Sequence, residues 1–308
     1  MALKLNKALL VALKLSISSG LLYYVLSKTG VIQVAGILKT ISPASFVSAI
    51  AIYIFAQFVS TMRWKLFLPG GLDTKRLFSL YMIGSFFNTL LPGLIGGDAV
   101  KAFYLYRETG KADASFGSIF MDRYIGFVAL ILICTAAFPF GFQHYHGSPI
   151  EWLLLVVVLF SVGASFLIFG LRLGKRIRLL SEFYNYFHMY RNEKKTILRA
   201  LALSAVVQLA GIASVAVLSA GLGEHIPFLA FLMFLPLIIL FSMIPVSISG
   251  LGIREGAFVL FFGLIGVKPE VATAISLSWF ITMAAAGIWG LIEYIRYKKV
   301  ILNIEGKT

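Results

Sequence analysis

The stretch PVSISGLGIREG, residues 245–256, interrupts one of the most apolar parts of the chain. The residues FLAFLMFLPLIILFSMI precede it, and AFVLFFGLIG follows it. A proline and three glycines favour a break between helices. Arg254 and Glu255 place two charges beside that break. Because ionisable side chains are costly inside a bilayer and usually serve a function there, this stretch indicates both the fold and a candidate site.

The composition is that of a membrane protein. Of the 308 residues, 59% are hydrophobic and only 13% are charged, and the mean hydropathy is +0.92. A soluble domain carries roughly 25% charged residues. The net charge of +14 would suggest nucleic acid in a soluble protein. Here Lys and Arg mark the cytoplasmic ends of membrane helices, and no nucleic-acid partner is expected.

About six segments are long and apolar enough to cross a bilayer, which requires about 20 residues. They are residues 9–27, 44–67, 114–138, 150–170, 199–221 and 271–295. Two further apolar regions, 77–108 and 228–266, are interrupted by Pro and Gly. Each is too short for two full spans and a loop. The chain is thus predicted to be an all-α polytopic membrane protein.

The distribution of Lys and Arg predicts the orientation. Basic residues are concentrated at 171–199 and near both ends, whereas GFQHYHGSPIE, residues 141–151, has none. Both termini are therefore expected in the cytoplasm, in the cytoplasmic (inner) membrane. Residues 171–198 are expected to form a basic, mostly solvated cytoplasmic linker between halves 1–170 and 199–308. An amphipathic helix that touches anionic lipid headgroups is the alternative for this linker.

This topology requires each interrupted region to return to the side from which it enters. Region 77–108 begins and ends in the cytoplasm, and region 228–266 begins and ends outside. Two re-entrant helical hairpins of opposite direction are therefore predicted. Broken backbone at membrane depth requires cover by protein or water, and paired hairpins of this kind form transporter sites near the midplane.

The two hairpins share a weak internal repeat. Lys101 follows Pro92 by nine positions, and Arg254 follows Pro245 by the same number. In each hairpin a glycine follows the proline by five residues. With the opposite directions of the halves, this pattern predicts an inverted repeat. The tips at 92–98 and 245–252 are then expected near the midplane and close to each other.

The same stretches resemble a known family. LLPGLIGGDAVKAFYLYRETGKADASFGSIFMDRYIG (90–126) and SISGLGIREGAFVLFFGLIGVKPEVATAISLSWF (247–280) are similar to the two signature stretches of the lysylphosphatidylglycerol synthase transmembrane-region family. The resemblance implies a stand-alone, flippase-like unit without the soluble synthase domain. In two-domain members this region is described as flipping aminoacylated phospholipid. Members often carry a basic residue in the last span, where this chain reads SLSWF.

Seven residues are candidates for binding a substrate: Asn88, Asp98, Lys101, Asp122, Arg123, Arg254 and Glu255. Lys101 and Arg254 are expected in the first turns of the helices that follow the two breaks. A cation there opposes the helix dipole, so an anion between the two helix starts would explain both residues. The alternative for Arg254 is an ion pair with Asp98 or Glu255.

The carboxylates leave further alternatives open. Asp98 is either a helix N-cap or a partner of a basic residue. Glu255 is expected to face away from its neighbour Arg254 and to pair with another helix through Arg123. Asp122 and Arg123 are expected to serve chiefly as scaffolding across the bundle.

These residues favour a lipid flippase-like transporter for an anionic, phosphate-bearing lipid. A non-transporting scaffold or regulator of envelope lipid synthesis is the alternative, and a membrane-embedded lipid-modifying transferase is a weaker one. The sequence shows no nucleophile–base pair, paired carboxylates or metal-ligand set, so no catalytic, metal or cofactor site is predicted. Whether the protein forms a homo-oligomer stays open.

Overall fold

The computed structural model of the chain describes residues 7–90, 96–141, 150–167, 178–243, 247 and 249–305. The regular secondary structure of these residues is helical throughout. We number the twelve helices that they form in chain order: α1 Lys7–Thr29, α2 Val31–Lys39, α3 Pro43–Lys65, α4 Thr74–Leu90, α5 Gly96–Thr109, α6 Ala112–Gly141, α7 Ile150–Ser165, α8 Arg178–Tyr190, α9 Lys194–Gly221, α10 Phe228–Ser242, α11 Ile253–Gly263 and α12 Pro269–Glu305.

Four helices of the described chain, α3, α6, α9 and α12, are long and apolar enough to span a bilayer. They coincide with four of the predicted spans, and the all-α fold class is confirmed. Helix α1 covers the first predicted span, but the chain then bends by 84° at Gly30 into the short helix α2, which was not predicted. Gly30 has φ 80°, a conformation that glycine adopts without strain, so the helix can turn there.

Both interrupted regions form pairs of helices, as predicted. Helices α4 and α5 pack against each other, and so do α10 and α11. We call these pairs hairpin 1 and hairpin 2. Residues 91–95, 244–246 and 248 of their tips lie outside the described residues.

The two halves of the chain run in opposite directions. Near one end of the α3–α9 pair, the Ser42 N–H donates to the Gly221 carbonyl at 2.9 Å. Near the other end, Arg63 Nη1 donates to Ser204 Oγ at 3.0 Å. Helices α3 and α9 are therefore antiparallel. Since each half continues with a hairpin and a long helix, this arrangement is the predicted inverted repeat.

Each hairpin packs against the long helix of the other half. Helix α4 lies along α12, and α10 lies along α6. The α4–α12 contact is close at Gly290, where an added Cβ would lie 2.0 Å from the Met82 carbonyl oxygen. Small residues allow such close backbone approach between membrane helices. The hairpin of each half is thus packed against the long helix of the other half.

Part of the basic linker is a packed helix. In α8, Tyr184 and Tyr186 are buried, and the Tyr186 hydroxyl donates to the Phe67 carbonyl. An added Cβ at Gly117 of α6 would collide with the Tyr186 ring. The predicted linker 171–198 therefore contains a helix, Arg178–Tyr190, that packs through Tyr184 and Tyr186. The aromatic side chains of YNYFHMY, residues 184–190, provide the part of α8 that packs against the rest of the bundle.

Candidate functional site

A cavity of about 320 Å³ lies where the two hairpins meet the long helices. Its wall takes residues from the middle of the apolar spans, including 123–130 of α6, 207–208 of α9 and 279–283 of α12. Both hairpins contribute as well. Five ionisable residues with full charges line it: Arg63, Asp98, Lys101, Arg123 and Arg254. The cavity thus brings five charged side chains together at mid-span, in a largely apolar wall built by both halves.

A chain of ion pairs joins hairpin 1 to α3 and α6. Arg63 Nε donates to Asp122 Oδ1 at 2.7 Å, and Arg123 makes two bonds to Asp98, of 2.7 and 2.9 Å. Lys101 Nζ lies between the two carboxylates, 3.6 Å from Asp98 Oδ1 and 4.0 Å from Asp122 Oδ2. Each carboxylate therefore serves two cations, and the pairs form one connected network.

The Lys101 ammonium also lies over two aromatic rings. Its Nζ is 4.6 Å from the Trp64 ring centroid and 4.2 Å from that of Tyr81. The electron-rich faces of these rings attract a cation. Tyr81 in turn donates its hydroxyl to Asp122. The two rings and the two carboxylates together enclose the Lys101 side chain, which is buried.

Hairpin 2 neutralises its own cation. Arg254 donates to Glu255 Oε1 from Nη2 at 2.8 Å and from Nε at 3.1 Å. Ser276 of α12 bonds both residues, and the Gly252 N–H donates to Glu255 Oε2 at 2.6 Å. The Glu255 carboxylate therefore fixes both the Arg254 guanidinium and the start of α11.

The two hairpins touch near their tips. Ser249 Oγ lies 2.8 Å from the carbonyl oxygen of Asn88 and 3.0 Å from that of Thr89, and both accept its hydrogen bond. Ser249 has φ 50°, a left-handed conformation that is uncommon outside glycine. The Asn88 side chain accepts a bond from the Gly97 N–H, which ties α4 to α5. Ser249 of the predicted tip 245–252 thus contacts the C-terminal end of α4, next to the predicted tip 92–98.

The charges of this region do not cancel. Counted among the described residues, the cavity and its wall hold four cations and three carboxylates: Arg63, Lys101, Arg123 and Arg254 against Asp98, Asp122 and Glu255. One positive charge is therefore in excess. Burying an uncompensated charge is costly, so the cavity is electrostatically prepared for an anion.

The cations differ in how far they reach into the open cavity. The Arg123 side chain is 43% exposed, whereas those of Lys101 and Arg254 are each 2% exposed. Both Lys101 and Arg254 line the wall, but their charged groups are already engaged by carboxylates. Arg123 is therefore the guanidinium most accessible to a ligand.

Several expectations need correction. Asp98 is the third residue of α5, so it is not the N-cap, and Lys101 lies in the second turn rather than the first. Gly96 and Gly97 join the helix and move its start back. Glu255 does not pair with Arg123: its carboxylate binds its neighbour Arg254, because Ser276 and the Gly252 N–H draw both side chains to one side.

The sequence analysis missed Arg63 as a site residue. A basic residue near the end of a span is typical of the cytoplasmic side, yet Arg63 is buried and paired with Asp122. A signal was present, since Arg63 stands within the apolar stretch 44–67 rather than after it. Of the seven predicted residues, six belong to the two ion-pair groups, and Asn88 joins the two hairpins at their tips.

The described residues contain no group of three His, Cys, Asp or Glu side chains that could hold a metal ion. The three carboxylates of the region are each engaged by Arg or Lys. The arrangement therefore suits anion binding through guanidinium and ammonium donors, which form short, charge-assisted hydrogen bonds to phosphate.

Comparisons with known proteins agree with this architecture. Two relatives are archaeal UPF0104 membrane proteins. That of Methanothermobacter thermautotrophicus is 22% identical over 276 residues, covering 79% of this chain and 82% of its own length. That of Methanocaldococcus jannaschii is 21% identical over 338 aligned residues, covering all of both chains. No solved structure matches the chain.

The family comparison covers almost the whole molecule. The match begins in α1 and ends in α12, so it includes both hairpins and every charged residue of the cavity. The model that matches, over residues 11–290, describes the lysylphosphatidylglycerol synthase transmembrane region. The chain therefore belongs to the lysylphosphatidylglycerol synthase transmembrane-region family.

Proposed function

We propose that the protein is a flippase-like transporter, and not an enzyme, that moves an anionic, phosphate-bearing lipid between the two leaflets of the cytoplasmic membrane. One observation carries the proposal: a cavity at mid-span holds one more cation than carboxylates. A lipid phosphate would supply the missing negative charge at the depth where a headgroup must cross.

The chemistry of Arg123 supports a phosphate. Its side chain lines the cavity and is 43% exposed while it makes two bonds to Asp98. A guanidinium is planar and binds phosphate through two parallel N–H groups, so a phosphate could share or replace Asp98. Asp98 would keep Lys101 as its partner during such an exchange.

The size of the cavity supports a headgroup alone. A volume of about 320 Å³ is at the lower end of the range for small-molecule sites and cannot enclose two acyl chains. The acyl chains would remain in the bilayer while the headgroup passes between the hairpins. Two oppositely directed hairpins around a central site support exposure of that site to each leaflet in turn.

The orientation is part of the proposal. The Lys and Arg asymmetry supports cytoplasmic termini and an external position of residues 140–149. A single cysteine at Ser148 in a Cys134→Ser background should react with a membrane-impermeant thiol reagent in intact cells. Labelling that requires cell lysis would reverse the orientation.

Transport tests the function directly. Purified protein is reconstituted into vesicles that contain a headgroup-labelled anionic phospholipid, and a quencher added outside reports label that reaches the outer leaflet. We expect the wild type to accelerate this movement over protein-free vesicles and Arg123→Ala to lose most of it. Arg296→Ala is the matched control, because the Arg296 side chain is 73% exposed near the end of α12. Equal rates with wild type and without protein would favour the scaffold alternative.

A further inference from the structure

The first six described helices correspond in order to the last six. In each half, one helix leads to a shorter one, and a long span, a hairpin and a second long span follow. The short helices α2 and α8 make equivalent contacts, because α2 packs against α12 and α8 packs against α6. Since α3 and α9 are antiparallel and each begins shortly after its short helix, α2 and α8 lie at opposite ends of the bundle.

Helix α8 fills the space between itself and the rest of the bundle. Its Tyr186 hydroxyl donates to the Phe67 carbonyl in the connection between α3 and α4. The same tyrosine packs so closely on Gly117 of α6 that an added Cβ would collide with its ring. The Tyr190 ring meets that of Phe67 edge-on, with centroids 5.3 Å apart. Aromatic side chains of α8 therefore close this end of the bundle.

The equivalent space at the other end is open. A cavity of about 670 Å³ lies between α2, the connection from α9 to α10, and the start of α12. Ile37 of α2 lines it together with Met233 and Phe234 of α10, and the lining includes the exposed residues His225 and Lys268. Helix α2 thus borders an open space where its counterpart α8 is packed.

We propose that α2 and α8 are the two caps of the bundle, that α8 is closed and α2 open in this structure, and that the caps exchange these states in each transport cycle. The exchange rests on the proposed transport, and it adds the parts that close the path on each side. The two halves of an inverted repeat have equivalent folds, so each can adopt the conformation of the other. In the proposed orientation, α8 is the cytoplasmic cap and α2 the external one.

Gly30 gives α2 a hinge. The 84° bend between α1 and α2 falls at this residue, whose φ of 80° costs glycine no strain. Val31 and Ile32, at the start of α2, are 58% and 85% exposed, so α2 carries apolar side chains that closure can bury. Hinges of this kind consist of a few residues at the end of an element. Helix α2 can therefore move into the cavity without a change within the helix.

Helix α8 reaches the ion-pair network through α6. Its Phe187 ring packs edge-on against Tyr124, with centroids 6.0 Å apart. Tyr124 directly follows Arg123, the guanidinium most accessible to a ligand. Release of α8 would free the first turns of α6 on which Arg123 lies. Opening of the α8 cap and exchange of the Arg123–Asp98 pair are thereby coupled.

Thiol labelling at two equivalent positions tests which cap is closed. Val271 and Ala114 are the third residues of α12 and α6, and they are 6% and 7% exposed. Val271 lines the cavity beside α2, whereas Ala114 belongs to the cluster beneath α8. In the purified full chain with Cys134→Ser, we expect Val271→Cys to react with a small methanethiosulfonate about tenfold faster than Ala114→Cys, because the latter requires local opening. Equal rates, or the reverse order, would overturn the assignment of the caps.

A reversible crosslink tests the exchange. A Cβ at Gly117 would lie 2.9 Å from that of Tyr186, so Gly117→Cys with Tyr186→Cys can form a disulfide that holds α8 closed. We expect oxidation to reduce lipid movement in the vesicle assay to the protein-free rate, and reduction to restore it. Tyr186→Cys alone is the matched control, and oxidation should not alter its rate. Equal transport by the oxidised and reduced double variant would overturn the exchange.

A second measurement covers failure of the double variant to fold. In vesicles, the labelling of Ala114→Cys should become faster when the anionic phospholipid is present and should not change with neutral lipid. Unchanged labelling would again overturn the exchange, while transport by the wild type would leave the proposed function intact. Absence of lipid movement by the wild type would overturn the proposed function and the exchange, and the labelling rates in the purified protein would still decide which cap is closed.

Discussion

Hairpin 1 and hairpin 2 follow one plan but hold their charges differently. In hairpin 1, the charges of Asp98 and Lys101 are shared with Arg63, Asp122 and Arg123 of α3 and α6. In hairpin 2, Arg254 is neutralised by the adjacent Glu255. The charge of hairpin 1 is therefore delocalised over several helices, and that of hairpin 2 is local.

The difference indicates a division of roles. In the hairpin 1 network each carboxylate contacts two cations, and Lys101 is shared between them. One cation can therefore bind a ligand while the carboxylate keeps the other as its partner. A closed pair such as Arg254–Glu255 has no such reserve, because Glu255 also holds the start of α11. We infer that the network around hairpin 1 offers the exchangeable contact, through Arg123 of α6, and that hairpin 2 provides a fixed wall whose charges are already paired.

The largest effect should come from the backbone of hairpin 1. A Cβ added at Gly97 would lie 1.9 Å from the Gly84 carbonyl oxygen, so Gly97→Ala must separate α4 from α5. We expect a loss of about 3 kcal/mol in stability, measured by thermal unfolding in detergent. Gly256→Ala in hairpin 2 is the control, since its Cβ would meet only Val25 at 3.9 Å. Equal losses of stability in Gly97→Ala and Gly256→Ala would show that close backbone contact does not distinguish hairpin 1 from hairpin 2.

The next effect separates a shared network from a local pair. Asp122→Asn should cost about 2–3 kcal/mol, because the amide still accepts a hydrogen bond but the buried cations lose their counter-charge. Adding Arg63→Gln should restore little, since Lys101 also depends on Asp122. In hairpin 2, the double variant Arg254→Gln with Glu255→Gln should stay within about 1–2 kcal/mol of wild type, as both charges leave together.

Urea or thermal unfolding of these variants measures the distinction. Full recovery of stability in the Asp122→Asn, Arg63→Gln protein would show that hairpin 1 also contains a closed pair. The interpretation that the charges around hairpin 1 are delocalised over several helices would then be wrong.

Substitution of Arg123, the exchangeable cation, should have a smaller effect on stability and a large effect on transport. Arg123→Lys keeps the charge but loses the bidentate geometry, so we expect transport to fall about tenfold with little change in unfolding temperature. Arg254→Lys should lower both, because its guanidinium is 2% exposed and bonded to Glu255 and Ser276. The opposite ranking in the vesicle assay would make Arg254 the ligand contact.

The smallest effect concerns the end of hairpin 1 away from its tip. Arg76 of α4 and Tyr297 of α12 both donate to Glu108 of α5, and Arg76 also lies over the Tyr297 ring. Tyr297→Phe removes one hydroxyl and should cost about 0.5–1.5 kcal/mol. Tyr23→Phe on the exposed face of α1 should cost nothing in the same unfolding assay.

Local features of the sequence were sufficient for the four long spans and the two interrupted regions, but not for the bend at Gly30 or for α2. Apolar length predicted α3, α6, α9 and α12, and Pro and Gly predicted both hairpins. The halves were predicted to be inverted from Lys and Arg placement alone, and the antiparallel α3–α9 pair agrees. Periodicity and charge placement are properties of short windows, so a single chain reveals them.

The partners of the charged residues could not be predicted in the same way. Arg63 meets Asp122 only because α3 packs on α6, a contact 59 residues apart in sequence. The Glu255 side chain lies on the same side as that of Arg254 because Ser276 of α12 hydrogen-bonds to both. Tyr53 and Ser85, which line the same cavity, likewise become neighbours only in the folded bundle.

Photo-crosslinking tests most directly that a lipid phosphate occupies the cavity between the hairpins. An anionic phospholipid with a diazirine beside its phosphate is activated in vesicles that contain the wild-type protein, and the adducts are mapped by peptide mass spectrometry. We expect adducts on cavity residues of α6 and α12, at 123–130 and 279–283, and their loss in Arg123→Ala. Adducts confined to exposed faces such as that of α7, unchanged by Arg123→Ala, would contradict a headgroup site between the hairpins.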